Sequence, residues 1–163
     1  MKTRREGKAR PEPSAYQRAL GLLVRREHSR QELSRKLRAR GVEAEEADSA
    51  LTTLARQDFQ NDARFAEALA RSRAVAGYGP VRIRAELGTH GLGRDLVDAA
   101  LAACEGNWQA MANQLVERRF GSKDMADPAI RRKAVDFLLR RGFDQKVAYA
   151  AGRHLRGEDE FED

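Results

Sequence analysis

Residues 32–42 read Glu32-Leu33-Ser34-Arg35-Lys36-Leu37-Arg38-Ala39-Arg40-Gly41-Val42, and this phrase decides the fold. Leu33 and Leu37 are four apart and therefore share one helix face. Gly41 takes the left-handed conformation that ends a helix, and Val42 is placed to fold back onto the last turn. The phrase returns as Arg82-Ile83-Arg84-Ala85-Glu86-Leu87-Gly88-Thr89-His90-Gly91-Leu92, then as Lys133-Ala134-Val135-Asp136-Phe137-Leu138-Leu139-Arg140-Arg141-Gly142-Phe143. The three glycines stand 50 and 51 residues apart. A fixed period of that size marks a repeat architecture.

Each copy continues downstream in phase. Ala47, Ala50, Leu51 and Leu54 follow the first glycine at the offsets where Val97, Ala100, Leu101 and Cys104 follow the second. Ala148, Ala151, Gly152 and Leu155 follow the third. Such spacing is an amphipathic helix with a small-residue face, suited to close packing. A further helix precedes each phrase, over 14–26, 61–76 and 107–120. Capping residues support these boundaries. Ser29-Arg30-Gln31-Glu32 reads as a capping box, and Gly79-Pro80 and Asp127-Pro128 each place a cap before proline at the first helical position. Ser14, Asn61 or Asp62, Asn107 and Asp144 are placed to cap four more helices.

The expected fold is all-α: three tandem three-helix repeats forming an elongated, curved array of helices at right angles. Its parts are a flexible basic arm (1–13), repeats at 14–57, 58–105 and 106–157, and an acidic tail (158–163). The tail has two readings, a solubilising end or a competitor for the protein's own basic surface. With 41% hydrophobic and 34% charged residues, the composition suits thin helical layers with wide solvated faces. The third repeat carries Ala134 and Gly152 where larger apolar residues would fit, so a looser third core is expected.

Charge is distributed unevenly. The arm and the first repeat each carry +3, the second repeat −1, the third +6 and the tail −5. Excess positive charge at both ends of the array points to a polyanionic partner. No apolar stretch approaches bilayer length, so a cytoplasmic protein away from the membrane is expected. Cys104 is the single cysteine and lies among Ala99, Ala100, Leu101 and Ala103. It reads as a small buried hydrophobe before a reactive thiol.

Familiar catalytic patterns are missing. Gly77-Tyr78-Gly79 and Gly91-Leu92-Gly93 lack the third glycine of a dinucleotide fingerprint, and no phosphate-binding loop occurs. One cysteine and the scattered His28, His90 and His154 do not make a zinc site. His28 and His90 lie at helix junctions, where a capping or surface role is expected. Carboxylates fall mostly on solvated faces, none grouped with a nucleophile. These absences predict a protein that is not an enzyme and uses no metal or cofactor.

The basic residues form the candidate site: Arg25, Arg26, Arg30, Arg35 and Lys36 in the first repeat, Arg82 and Arg84 in the second, and Arg118, Arg119, Arg131, Arg132, Lys133, Arg140 and Arg141 in the third. Some close helices, where a cation meets the negative end of the dipole. Capping needs only one or two per end, and arginine is the residue that grips phosphate or carboxylate in a fork. A helix-turn-helix reading is also open, since a glycine turn joins the second and third helices of each repeat. The third helices argue against operator reading: Glu43, Glu45, Glu46 and Asp48 would meet phosphate repulsion in a major groove.

Four blocks in order resemble the RecX family: Arg25-Arg26-Glu27-His28-Ser29-Arg30-x-Glu32-Leu33-x-x-Lys36-Leu37, Asp62-x-Arg64-Phe65-Ala66, Gly77-x-Gly79-Pro80-x-Arg82-Ile83-x-x-Glu86-Leu87, and Arg140-Arg141-Gly142-Phe143. The resemblance runs from about Ala15 to His154. It implies a regulator that binds the RecA recombinase and lodges along the groove of its single-stranded-DNA filament; a monomer is expected. Inhibition of strand exchange, ATPase and coprotease activity in DNA repair, recombination and the SOS response would follow. It also implies direct binding to single-stranded and double-stranded DNA. Two rivals stand beside it: a general nucleic-acid-binding protein and a helix-turn-helix repressor.

Overall fold

The computed structural model describes residues 10–104 and 106–154, and over these the chain is all helix. Nine helices occur among the described residues: α1 (Ala15–Leu23), α2 (Arg30–Arg38), α3 (Ala44–Arg56), α4 (Asp62–Val75), α5 (Pro80–Gly88), α6 (Arg94–Ala102), α7 (Trp108–Phe120), α8 (Pro128–Arg141) and α9 (Gln145–His154). They form three three-helix repeats. The chain divides into two compact units, one ending at Asn61 and the other beginning at Asp62. The second unit therefore holds two repeats. Most of the basic arm and all of the acidic tail lie outside the described residues, as does Leu155. None of the described helices is long and apolar enough to cross a membrane.

The glycine phrase does what its spacing predicts. Gly41, Gly91 and Gly142 have φ of 82°, 68° and 87°, a region that costs a side chain roughly 1–2 kcal/mol. Val42 and Phe143 donate their backbone N–H to the carbonyls of Leu37 and Leu138, the bond that closes a Schellman turn. Leu33, Leu37, Ile83, Leu87, Ala134 and Leu138 are all fully buried. Each buried leucine or isoleucine contributes roughly 1.5–3 kcal/mol over an exposed one. The first core joins Ala19, Leu33, Leu37, Leu51 and Leu54; the second joins Phe65, Ala70, Ile83, Leu87 and Leu101.

Three expectations need correcting. Helix α1 stops at Leu23, so Val24-Arg25-Arg26 form a turn instead of a last helical turn. The capping box belongs to Ser14 and Gln17. At the second helix the Ser29 hydroxyl does accept the Glu32 N–H, but the Glu32 carboxylate turns to Arg26 and Lys36, because charged donors outbid a backbone amide. The third core, expected to be looser, is so only in part: a cleft remains where α8 meets α9, but large side chains fill its centre. Phe120, Met125, Phe137 and Phe143 fill it, while Gly152 lets Val135 approach so closely that a Cβ there would sit 3.0 Å from Val135 Cγ2.

Within the second unit, the two repeats are fastened by backbone. Gly79 N–H donates to Arg141 O at 2.8 Å, and Val81 N–H donates to Gly142 O at 2.9 Å. A Cβ at Gly79 would overlap the Gly142 carbonyl, and one at Gly142 would overlap Arg82. Both glycines are thus needed for close approach of two chain segments. Tyr78 fills the gap beside them, with the guanidinium groups of Arg82 and Arg141 4.2 and 5.0 Å from its ring centre. Trp108 touches the cores of both repeats.

Candidate nucleic-acid interface

A polyanion is gripped by cations that nothing inside the protein has already neutralised. The structure sorts the fourteen candidate residues on that test. In the first repeat, Arg26 and Lys36 converge on Glu32, at 2.5 and 2.9 Å from its Oε1. Glu32 is buried, which alone would raise its pKa; hydrogen bonds from Arg26 and Lys36, with His28 adding to them, bring it down to about 2. His28 is 2% exposed, which corrects its expected surface role. Its Nδ1 faces Arg26 O at 3.0 Å and its Nε2 faces Lys36 Nζ at 3.2 Å, and burial lowers its pKa. Arg30 ties α2 to α3 through Asp48 Oδ1 at 2.6 Å and Thr52 Oγ1 at 3.0 Å. These three cations hold the repeat together. Arg25 and Arg35 are exposed and have no side-chain partner among the described residues.

In the second repeat Arg84 pairs with Asp98 and ties α5 to α6, while Arg82 lies over Tyr78. Arg73 makes a two-pronged pair with Glu86, at 2.8 Å from Nε and 2.6 Å from Nη2. Hydrogen bonds from Arg73 lower the Glu86 pKa, against the opposing effect of burial. In the third repeat, Arg131 Nη1 donates to the carbonyls of Met125 and Ala126 and so holds the turn before α8. Arg119 lies over Phe137. Arg141 stacks near Tyr78 and Phe137 and donates to Ala76 O at 3.1 Å. Arg118, Arg132, Lys133 and Arg140 are exposed, with no side-chain partner among the described residues.

Eight candidates therefore have structural work, and six stand ready for a partner: Arg25, Arg35, Arg118, Arg132, Lys133 and Arg140. The distinction is electrostatic as well as geometric. Arg26, Arg30, Lys36 and Arg84 are cancelled by carboxylates, whereas arginines stacked on rings keep their charge. On α8 the buried face is Ala134, Val135, Phe137 and Leu138, so helical periodicity sends Arg132, Asp136 and Arg140 along one outer stripe with Lys133 beside it. On α2 Arg35 and Arg38 lie one turn apart on the solvent side. The second helices of the first and third repeats are thus the cationic faces. On that of the second repeat Arg84 is paired with Asp98, and Arg82 lies over Tyr78.

Sequence reasoning missed the Glu32 hub, although its signal was present: one carboxylate in a basic run, four residues before Lys36. It also left Arg94, Lys146 and Arg153 outside the basic face, and all three are exposed. Among the described residues no group of histidine, cysteine and carboxylate side chains is placed to hold a metal. Cys104 is partly buried, donates to Ala100 O, and has its thiol pKa raised by burial.

Comparison with known proteins places these features in a family. Models of the first, second and third three-helix domains of RecX match residues 15–54, 61–101 and 107–151. The chain is 59% identical over 148 residues to the regulatory protein RecX of Stenotrophomonas maltophilia (strain R551-3), covering 90% of this chain and 91% of that one. It is 56% identical over 140 residues to the regulatory protein RecX of Xanthomonas campestris pv. campestris (strain B100), covering 86% of each. The crystal structure of RecX from Lactobacillus salivarius superposes with a TM-score of 0.73 at 21% identity, over 87% of this chain and 94% of that one. That last likeness is one of fold.

Proposed function

The chain belongs to the RecX family, a family of proteins named as regulators and not as enzymes, and from that membership we propose that it binds the RecA recombinase on single-stranded DNA and inhibits it. The observation that carries this reading is the family match through all three repeats, in order. A protein that shared only one three-helix module would support far less. The six cations that have no side-chain partner among the described residues support a contribution from DNA itself. Phosphates attract them without sequence preference, and counterion release makes such binding strongly salt-dependent. Each repeat is taken as one contact module, so inhibition needs no chemistry: occupying a filament and bridging its subunits suffices.

The test is RecA ATP hydrolysis on single-stranded DNA with this protein titrated in. The reading predicts a saturable fall in rate at protein concentrations well below that of the DNA nucleotides. An unchanged rate, with tight DNA binding that competes with nothing, would instead make the chain a general nucleic-acid-binding protein.

A further inference from the structure

Helices α8 and α9 do not close completely against each other. Where Gly152 meets Val135, the helices leave a cleft of about 250 Å³ lined by Pro128, Arg131, Arg132, Val135, Asp136, Tyr149, Gly152 and Arg153. Its floor is apolar and its rim is cationic, with three arginines against one carboxylate. Tyr149 stands at the side, a large ring 54% exposed. Val135 and Gly152 are also the edge of the third core, whereas Arg132, Tyr149 and Arg153 are exposed.

The occupant follows from where the chain goes next. Helix α9 ends at His154, one residue beyond Arg153 of the cleft. The segment that follows, outside the described residues, reads Leu155-Arg156-Gly157-Glu158-Asp159-Glu160-Phe161-Glu162-Asp163. It carries one aromatic residue flanked on each side by a carboxylate. That is the complement of the cleft: an apolar floor for a ring, and arginines on the rim for the flanking acids. Reach is not limiting. Seven residues separate His154 from Phe161, which spans up to roughly 23 Å when extended, and Gly157 permits the reversal of direction that a return to α8 requires. A tether this short gives an effective concentration on the order of millimolar, so a weak contact is enough to fill the site.

We propose that segment 157–163 docks in the α8–α9 cleft of its own chain, with Phe161 against Val135 and Gly152 and with Glu160 and Glu162 on Arg132 and Arg153. The segment is then a built-in competitor for part of the cationic face of α8. It lowers the affinity of that face for any external polyanion by the fraction of time it is bound. This inference does not depend on what the external partner is.

Amide chemical shifts of the whole protein test it. The full chain is compared at low salt with a chain ending at Gly157, with Phe161→Ala, and with Arg132→Glu/Arg153→Glu in the full chain. Docking predicts that ending the chain at Gly157 moves the amides of Arg131, Arg132, Val135 and Asp136, which lie more than twenty residues away in sequence. Leu33 and Leu37 should stay put. Phe161→Ala and the charge reversal should move the α8 amides the same way. Peptide 157–163 added at several millimolar to the shortened chain should move them back. Superimposable α8 amides in the full and shortened chains would overturn the proposal. So would an oligothymidylate that perturbs the cleft amides with the same midpoint in both chains, because the cleft would then be a nucleic-acid site that no segment guards.

Discussion

Replacing Gly142 by alanine tests the joint between the second and third repeats more sharply than any change in either core. Two costs arise together. Gly142 has φ of 87°, worth roughly 1–2 kcal/mol for a residue with a Cβ. The new methyl also overlaps Arg82, including its backbone, so α5 must retreat from α8. That retreat stretches the Gly79–Arg141 and Val81–Gly142 hydrogen bonds, each worth about 1 kcal/mol net and more if its groups stay buried. The sum is about 3–5 kcal/mol. For a unit of this size 1 kcal/mol moves the melting midpoint by about 4–8 °C, so Gly142→Ala should lower it by at least about 12 °C. Trp108 is the only tryptophan; it packs on both cores and lies edge-on to Phe143 at 6.5 Å between ring centres. Its fluorescence therefore reports the joint itself. Asparagine provides the control, since it tolerates a left-handed backbone. At Gly41, where a Cβ meets nothing within 4 Å, asparagine should recover most of the loss seen with alanine. At Gly142 it should recover little. A Gly142→Asn midpoint within a few degrees of the parent would refute the joint, leaving only backbone strain.

Three further outcomes follow from the same structure. Glu32 has its carboxyl held at about 2 against an ordinary value of 4.5, so its contribution is present above pH 4.5 and is lost as pH falls from there towards 2. With Arg26 and Lys36 partly exposed, that contribution is about 1–3 kcal/mol; urea midpoints of the parent and Glu32→Gln should differ at pH 7 and converge near pH 2, and equal midpoints at pH 7 would contradict the hub. Replacing Arg132, Lys133 and Arg140 by alanine should flatten the log–log salt dependence of single-stranded-DNA binding by roughly 2, at about 0.7 per phosphate contact, whereas Arg30→Ala should lower stability by about 1 kcal/mol without that flattening. Cys104, with its thiol pKa raised by burial, should react with a disulfide reagent at pH 8 more slowly than a free thiol; reaction at the free rate in the folded protein would show that α6 frays at its end.

The fold was legible because it repeats. Leu33 and Leu37, Ile83 and Leu87, and Ala134 and Leu138 each precede a glycine at the same offsets, and three coincidences in phase leave little room for another assignment. What composition and spacing did not show was which charges the fold consumes. Arg26, Arg30 and Lys36 look identical to Arg25 and Arg35 on paper. Their fates diverge because Glu32 is drawn into a buried position and Asp48 comes around on α3, and both are consequences of packing between helices. The Gly79 and Gly142 blocks posed a similar problem. Each reads locally as a helix boundary, one a cap before proline and the other a helix end. Their meeting, and hence the reason both lack a side chain, exists only once two repeats are folded together. Arg131 shows the same limit: in sequence it is one basic residue beside Arg132 and Lys133, but its guanidinium holds the carbonyls of Met125 and Ala126.

The central proposal is that the cations without a partner among the described residues, and not the paired ones, meet the RecA filament. Its most direct measurement is inhibition of RecA ATP hydrolysis on single-stranded DNA by the Arg132→Ala/Lys133→Ala/Arg140→Ala protein, beside the parent, at two salt concentrations. The account predicts at least a tenfold loss of potency at low salt, a smaller gap at high salt, and an unchanged melting midpoint. A triple variant that inhibits as well as the parent at both salt concentrations would contradict it and move the working surface off α8.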